Sequence, residues 1–287
     1  MALTRGLLRF TPTATATEQS TLAKVRRARP PAEIPSSLRR IADVQRREIG
    51  GQSVFDLTPS AGSNGRHLIY LPGGAYVFSP VAAHWSIVGA LLRASGASVT
   101  VPLYGLAPEH GPLDAYALLD ELYDEATATR GRVLLAGDSS GGGLALGQAM
   151  RVRDDGRRPP AGVVLFSPWV DVTMGNPDVA GLAHLDRMIA PAGLAAAGRW
   201  WAGDLDPRSS LVSPLFGDLA ALPPVHTHQG DHDVLYADAV LLDARIRAAG
   251  GSSTLDVYPG AFHDFVGAPW TPEARLALKR AAAVIAG

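Results

Sequence analysis

The sequence contains no cysteine among its 287 residues, and its formal net charge is only −1. Disulfide bonds, cysteine metal ligands and a cysteine nucleophile are therefore excluded. The balanced charge does not favour binding to nucleic acid or to an anionic membrane. No apolar run approaches membrane-spanning length, and residues 1–20 lack the apolar core of a secretory signal. We expect a soluble cytoplasmic protein that binds neither nucleic acid nor membrane.

Strand and helix patterns alternate along most of the chain, and 47% hydrophobic residues can build a large core. The predicted strands are 52–57, 66–71, 97–102, 133–136, 162–167, 224–229 and 253–258. The predicted helices are 18–28, 36–47, 81–94, 112–129, 192–201, 235–249 and 271–286, with a further one after residue 141. No strand is predicted in residues 1–50. The alternation predicts an α/β fold with a mostly parallel central sheet covered by helices on both faces.

The clearest chemical signal is the motif G-D-S-S-G at residues 137–141. It follows a short apolar run, and the glycine-, alanine- and leucine-rich stretch after it predicts a helix. A G-x-S-x-G motif at a strand-to-helix junction is typical of a nucleophile elbow, in which a sharp turn lifts one serine above the sheet edge. The flanking glycines are needed because the two backbones pass very close together there. We predict that Ser139 is a nucleophile.

A serine nucleophile needs a histidine base and a carboxylate that orients the histidine. After a nucleophile elbow, the acid and then the histidine follow in chain order. Of the eight histidines, His263 fits best because it follows the predicted strand 253–258 near the end of the chain. The acid should follow the preceding strand, where Asp231 and Asp233 both lie. Asp233 is the preferred acid, and Asp231 stays open as the alternative.

Five more motifs surround these residues. They are P-G-G-A at 72–75, Y-G-L-A-P-E-H at 104–110, S-P-W-V-D at 167–171, L-V-S-P-L at 211–215 and Y-P-G-A-F-H at 258–263. With the elbow they resemble motifs of the hormone-sensitive-lipase-like branch of the α/β-hydrolases, which are bacterial esterases with an HGGG-type oxyanion loop. The resemblance implies one α/β-hydrolase domain over residues 1–287. In that family the acid lies close to thirty residues before the histidine, which favours Asp233.

The resemblance also implies an oxyanion hole made of the backbone N–H groups of Gly74, Ala75 and Ser140. Pro72 stands where the family has the first histidine of HGGG, and Ala75 stands where it has the last glycine. The backbone donors survive both changes, but proline lacks an imidazole that could brace the loop. We therefore expect the mechanism to be retained, and catalytic strength and substrate scope to be affected.

By the same resemblance, residues 1–50 and 172–205 would form a helical cap over the site, with Phe10, Trp200 and Trp201 as apolar cap residues. Such a cap suits short-to-medium acyl esters or lactones, hydrolysed by a serine carboxylesterase through an acyl-enzyme. The small-molecule ester or lactone is the expected partner. No cofactor and no metal are expected, and the oligomeric state stays open, with a homodimer as one option.

Two other functions stay open. The stretch H-T-H-Q-G-D-H at residues 226–232 is similar to the H-x-H-x-D-H motif of binuclear zinc hydrolases, although two residues rather than one separate His228 from Asp231. The altered oxyanion loop also leaves open a non-hydrolytic use of the scaffold, as a lyase or a ligand-binding protein.

Overall fold

An eight-stranded sheet runs through the part of the chain that the computed structural model describes, namely Met1, Thr4, residues 13–27 and residues 29–287. The strands are β1 (Ala42–Ile49), β2 (Gln52–Pro59), β3 (Arg66–Leu71), β4 (Ser98–Pro102), β5 (Arg132–Asp138), β6 (Val163–Phe166), β7 (Val225–His232) and β8 (Ser253–Phe262). Their spatial order is β1-β2-β4-β3-β5-β6-β7-β8. The pairs β1–β2 and β2–β4 are antiparallel, and the others are parallel. The mostly parallel sheet expected from the sequence is thus confirmed.

Helices connect and cover the strands. They are α1 (Glu18–Arg26), α2 (Ser36–Arg39), α3 (Ala82–Ser95), α4 (Pro112–Thr129), α5 (Ser139–Asp154), α6 (Val179–Leu182), α7 (Pro191–Ala202), α8 (Tyr236–Ala248) and α9 (Pro272–Ala286). Helices α4, α7 and α9 have proline in their first turn, where no backbone N–H is needed for the helical hydrogen bonds. The predicted helix 18–28 forms from residue 18 to residue 26, and Ala28 lies outside the described residues.

Two hydrophobic cores lie on opposite faces of the sheet. Along β3, Ile69 and Leu71 belong to one core, while Leu68 and Tyr70 belong to the other. This alternation follows from the two-residue period of a strand. The first core also contains apolar residues of α4, α5, α7 and α8, and the second contains those of α3 and α9. Because both faces are covered, the central strands are mostly apolar and their residues are almost all buried.

Strand β1 contradicts the sequence prediction, which placed a helix over residues 36–47 and no strand in residues 1–50. The helix that forms ends at Arg39, and β1 takes up the following residues. Gly50 and Gly51, with φ of +53° and +78°, make a tight turn into β2. Antiparallel pairing with β2 therefore supplies hydrogen bonds that a local hydrophobic pattern does not reveal, and it overrides the helical pattern.

The segments expected to form a cap differ in where they lie. Residues 42–49 are part of the sheet, whereas α1 packs on α7 within the second segment. Thr15 joins these two segments, because its hydroxyl donates to Ala190 O and accepts from Ala190 N. Phe10 lies outside the described residues. The assignment of a cap stays a prediction.

Among the described residues, no helix combines the length and the apolar character that crossing a membrane requires.

Candidate active site

The motif at residues 137–141 forms the junction between β5 and α5. Ser139 has a φ of +50°, in the left-handed region that a side-chain-bearing residue seldom adopts, as a strained elbow requires. A Cβ on Gly137 would collide with the backbone of Gly141, and a Cβ on Gly141 would collide with the carbonyl of Leu71 in β3. The glycines are therefore dictated by backbone packing.

Three side chains from separate parts of the chain meet at this elbow. The Nε2 atom of His263 lies 3.0 Å from the Oγ of Ser139, and its Nδ1 atom lies 3.0 Å from an Oδ atom of Asp233. Asp233 follows β7 and His263 follows β8, so the carboxyl ends of neighbouring strands bring the group together. The exposed fractions are 4% for Ser139, 4% for His263 and 0% for Asp233. The arrangement is the one that lets histidine take a proton from serine.

Other groups hold the Asp233 carboxylate in place. One Oδ atom accepts from the backbone N–H of Leu235 at 2.9 Å, and the other accepts from the side-chain amide of Gln229 at 2.8 Å as well as facing His263. These donors hold the buried carboxylate in one orientation.

The alternative acid, Asp231, points elsewhere. Its Oδ1 atom accepts from the N–H of Gly260 at 2.6 Å and lies 2.7 Å from Nδ1 of His232. It bonds neither nitrogen of His263, whose partners are Asp233, Ser139 and Asp264. Because side chains two residues apart on an extended chain share a side, the sequence alone cannot separate the two aspartates. The bulge in the pairing of β7 with β8 near Gly230 and His232 separates them here.

The oxyanion-hole candidates lie in the loop after β3 and in the first turn of α5. Gly74 and Ala75 have φ of +138° and +53°, and within the described residues no group accepts a hydrogen bond from either backbone N–H. Ser140 lies in the first turn of α5, where backbone N–H groups have no helical acceptor. The Oγ of Ser140 accepts from the N–H of Tyr76 at 3.3 Å, which ties the two segments together.

Asp138 braces the loop that carries Gly74 and Ala75. Its carboxylate accepts from the N–H of Gly73 at 3.1 Å and from the hydroxyl of Tyr70, and it lies 3.2 Å from Nε2 of His84. Burial pushes the pKa of Asp138 upward, but the charge of His84 and these hydrogen bonds outweigh it and lower the pKa. Burial alone would lower the pKa of His84, but the charge and hydrogen bond of Asp138, together with the charge of Asp264 and a hydrogen bond with Val81, raise it.

Tyr104 is a second brace of the oxyanion loop, since its hydroxyl donates to the carbonyl of Pro72 at 2.7 Å.

Sequence reasoning overlooked the bracing roles of Asp138, His84 and Tyr104. Asp138 and Tyr104 lie inside motifs noted in the sequence, which was the available signal. His84 lies in α3 and carries no local signal beyond being a histidine.

A cavity of about 460 Å³ adjoins the oxyanion loop. Its walls are the turn between β1 and β2, the loop after β3 and the loop after β4, and Pro31 also borders it. Pro72, which stands where the family has a histidine, and Gly73 are among its lining residues.

In the zinc-like motif, His232 contacts Asp231, whereas the partners of His228 lie on β8. Nδ1 of His228 lies 3.2 Å from the hydroxyl of Tyr258 and 3.4 Å from a carboxylate oxygen of Asp256. Burial lowers the pKa of His228 to about 4. In the described part of the chain, no three histidine, aspartate or glutamate side chains are arranged to hold a metal ion.

Comparison with known proteins identifies the family to which this fold belongs. A family model described as alpha/beta hydrolase fold matches residues 68–267. The chain belongs to the α/β-hydrolases. An acetyl-hydrolase of Streptomyces hygroscopicus is 35% identical to it over 246 residues, which cover 82% of this chain and 80% of the relative.

Two solved structures resemble this α/β-hydrolase over nearly its whole length. The esterase EstE5, soaked with p-nitrophenyl butyrate, is 29% identical with a TM-score of 0.84, over 99% of this chain and 97% of that one. An esterase of the bacterial hormone-sensitive lipase family is 26% identical with a TM-score of 0.83, over 98% and 95% of the two chains. The expected branch, hormone-sensitive-lipase-like, and the expected enzyme class, a carboxylesterase- or lipase-like hydrolase, are confirmed.

Proposed function

We propose that this α/β-hydrolase cleaves short-to-medium acyl esters or lactones through an acyl-enzyme on Ser139. The observation that carries the proposal is the chain of contacts from Asp233 through His263 to Ser139, with 3.0 Å at each step. Similarity to proteins named acetyl-hydrolase and esterase supports the same reaction.

The chemistry begins with the Oγ of Ser139 attacking the carbonyl carbon while Nε2 of His263 takes its proton. Asp233 accepts a hydrogen bond from Nδ1–H, which keeps the imidazole in the correct tautomer and stabilises its charged form. The carbon–oxygen bond to the alcohol then breaks, and the alcohol leaves with the proton from His263. Water attacks the acyl-enzyme by the same route, its proton passing to His263 and then to the Oγ of Ser139, and the acid is released.

The negative oxygen of each tetrahedral intermediate would lie against the N–H groups of Gly74, Ala75 and Ser140. Removing one such donor in comparable enzymes costs about 3 kcal/mol of transition-state stabilisation. Because the N–H groups of Gly74 and Ala75 have no acceptor among the described residues, they are free to bind this oxygen without first breaking a hydrogen bond.

The cavity beside Pro72 and Gly73 is the candidate space for one side of the ester. It adjoins the proposed oxyanion donors and has a volume of about 460 Å³. A volume of this size is sufficient for a short acyl or alcohol group.

Hydrolysis of p-nitrophenyl esters from two to twelve carbons, beside five- and six-membered lactones, tests the proposal. Activity should be greatest at the short-to-medium end, and a fluorophosphonate should add one adduct to the intact mass, located on Ser139. Ser139→Ala is the matched control, and it should lose both hydrolysis and the adduct while retaining the melting temperature. An active enzyme without an adduct would contradict the acyl-enzyme. A non-hydrolytic role, as a lyase or binding protein, is not favoured by the comparisons.

A further inference from the structure

Asp264, the residue directly after His263, folds back onto the base. Its φ of +51° and ψ of 35° are left-handed, and they place a carboxylate oxygen 3.2 Å from Nε2 of His263. This is the nitrogen that also lies 3.0 Å from the Oγ of Ser139. The backbone of Asp264 is held on both sides, since its N–H donates to the Oγ of Ser167 and its carbonyl accepts from Gly267. The contact is therefore built into the turn.

Nothing else in the described part of the chain satisfies this carboxylate. Its second oxygen, Oδ1, is buried and has no hydrogen-bond partner there. The ionised carboxylate of Asp264 is therefore stabilised only by a protonated His263. Burial by itself favours the neutral acid, because the carboxylate loses hydration. Burial and neighbouring carboxylates raise the pKa of Asp264 to about 6, although the charge of His263 opposes this.

The two roles of Nε2 conflict. A neutral imidazole nitrogen offers one lone pair, and it must accept from the hydroxyl of Ser139 to act as a base. The carboxylate of Asp264, 3.2 Å from Nε2, instead favours a proton between the two groups, bonded either to Nε2 or to the carboxyl. While that proton stays between Asp264 and His263, His263 cannot take another from Ser139.

The surrounding charges strengthen this effect. Asp233 faces the other nitrogen of His263, and Asp186 lies behind Asp233, where it accepts from the N–H of Val234 at 3.0 Å. Asp138 and its partner His84 lie on the side of Asp264. In the described residues no lysine or arginine forms an ion pair with Asp138, Asp186, Asp233 or Asp264. The negative surroundings therefore favour a protonated His263.

We propose that Asp264 keeps a proton on the Nε2 side of His263 in the free site, in competition with Ser139, and that it thereby sets the lower pH limit of turnover. The inference rests on the proposed function, since it assigns Asp264 as a positioning residue that acts through the base. Above that limit the proton leaves to water, and the lone pair of Nε2 becomes available to the hydroxyl of Ser139. Burial alone would lower the pKa of His263, but Asp264 and then Asp233 raise it well above its ordinary value.

Asp264→Asn and Asp264→Gly test the proposal, because asparagine and glycine both tolerate a positive φ and neither carries the charge. The acidic limb of the pH profile of kcat/KM should move down by about 1–3 pH units. Below the limb of the unmodified enzyme, kcat/KM should rise about tenfold for each unit of that shift. Asp231→Asn is the matched control, since Asp231 is close in the chain to Asp233 but bonds Gly260 and His232, and its limb should not move.

Proton NMR of the Nδ1–H of His263 gives a second reading that needs no substrate. The midpoint of its titration should fall in both Asp264 variants and stay unchanged in Asp231→Asn. The proposal would be overturned if folded Asp264 variants kept both the acidic limb of kcat/KM and the midpoint of the His263 titration unchanged. A loss of kcat at every pH would also overturn it. If the unmodified enzyme hydrolyses no ester, the proposed function fails, and the NMR midpoint still decides the role of Asp264.

Discussion

The ring of Tyr76 stacks on the indole of Trp201, with ring centroids 4.3 Å apart and planes 4° from parallel. Tyr76 directly follows the oxyanion candidates Gly74 and Ala75, and its own φ is +63°. Trp201 lies in α7, within the segment expected to form a cap. The stack therefore couples the oxyanion loop to that segment, next to the position where Pro72 replaces a bracing histidine.

Trp201→Leu should lower kcat more than it changes KM, because a loosened Tyr76 lets the neighbouring N–H donors leave their orientation. A stacked aromatic pair contributes about 0.5–1.5 kcal/mol beyond the area it buries. We expect a fall in kcat of about tenfold, which corresponds to about 1.4 kcal/mol. Trp201→Phe keeps a ring against Tyr76 and should retain most of the activity. Equal kcat in the two variants would show that the stack does not orient the loop.

Asp233→Asn should reduce turnover by up to about 10⁴-fold by favouring the wrong tautomer of His263, with little change in folding. Asp231→Asn should leave turnover near its original value and cost at most about 1 kcal/mol of stability, because it weakens one hydrogen bond from Gly260. Steady-state kinetics and urea unfolding of both variants provide the measurement. The reverse pattern, with Asp231→Asn inactive, would make Asp231 the acid.

His67 should make stability depend on pH. It is 5% exposed, and its ring nitrogens lie 2.7 Å from the hydroxyl of Ser98 and 3.0 Å from that of Thr100. Burial, followed by the charge of Arg130, lowers its pKa to about 4. The unfolded chain therefore binds a proton first, so stability is full above about pH 6.5 and is lost as pH falls towards 4.

The loss attributable to His67 should reach about 3 kcal/mol at pH 4. His67→Gln, which can still bond both hydroxyls, should show a smaller decrease between pH 7.5 and pH 4.5 than the unmodified protein in urea unfolding. His184→Gln serves as the control, because His184 is exposed. An unchanged pH slope in His67→Gln would mean that His67 is already charged in the folded protein.

Deletion of residues 1–28 should leave the sheet able to form, since it ends before β1, but it should alter the preference for acyl-chain length. Helix α1 packs on α7, and Thr15 bonds Ala190 at the start of that helix. Removing this cover would loosen the wall that holds Trp201. The chain-length profile of p-nitrophenyl esters gives the measurement. The matched control is Glu18→Gln, which breaks only the exposed ion pair to Arg199. An unchanged profile in the deletion would argue against a cap role.

Much of the sheet could be predicted from the chain alone. Strand β3 and helix α4 have the predicted bounds, because a buried parallel strand is an apolar run and a proline marks the first turn of a helix. Strand β1 could not be predicted, because its residues are mostly polar on both faces and form a strand only by pairing with β2. Pairing between strands depends on a second segment of the chain, so the hydrophobic pattern of one segment cannot reveal it.

The sequence by itself determined the elbow at residues 137–141, since only glycine permits the backbone approaches found there. It also determined that a histidine and an aspartate follow the last two strands. Only the tertiary structure decided that Asp233 rather than Asp231 faces His263, because a bulge between β7 and β8 turns the two carboxylates apart. The contact of Asp264 with Nε2 likewise depends on a left-handed turn, and the stack of Tyr76 on Trp201 joins segments more than a hundred residues apart. These contacts depend on how distant backbones approach, and residue order alone does not specify that approach.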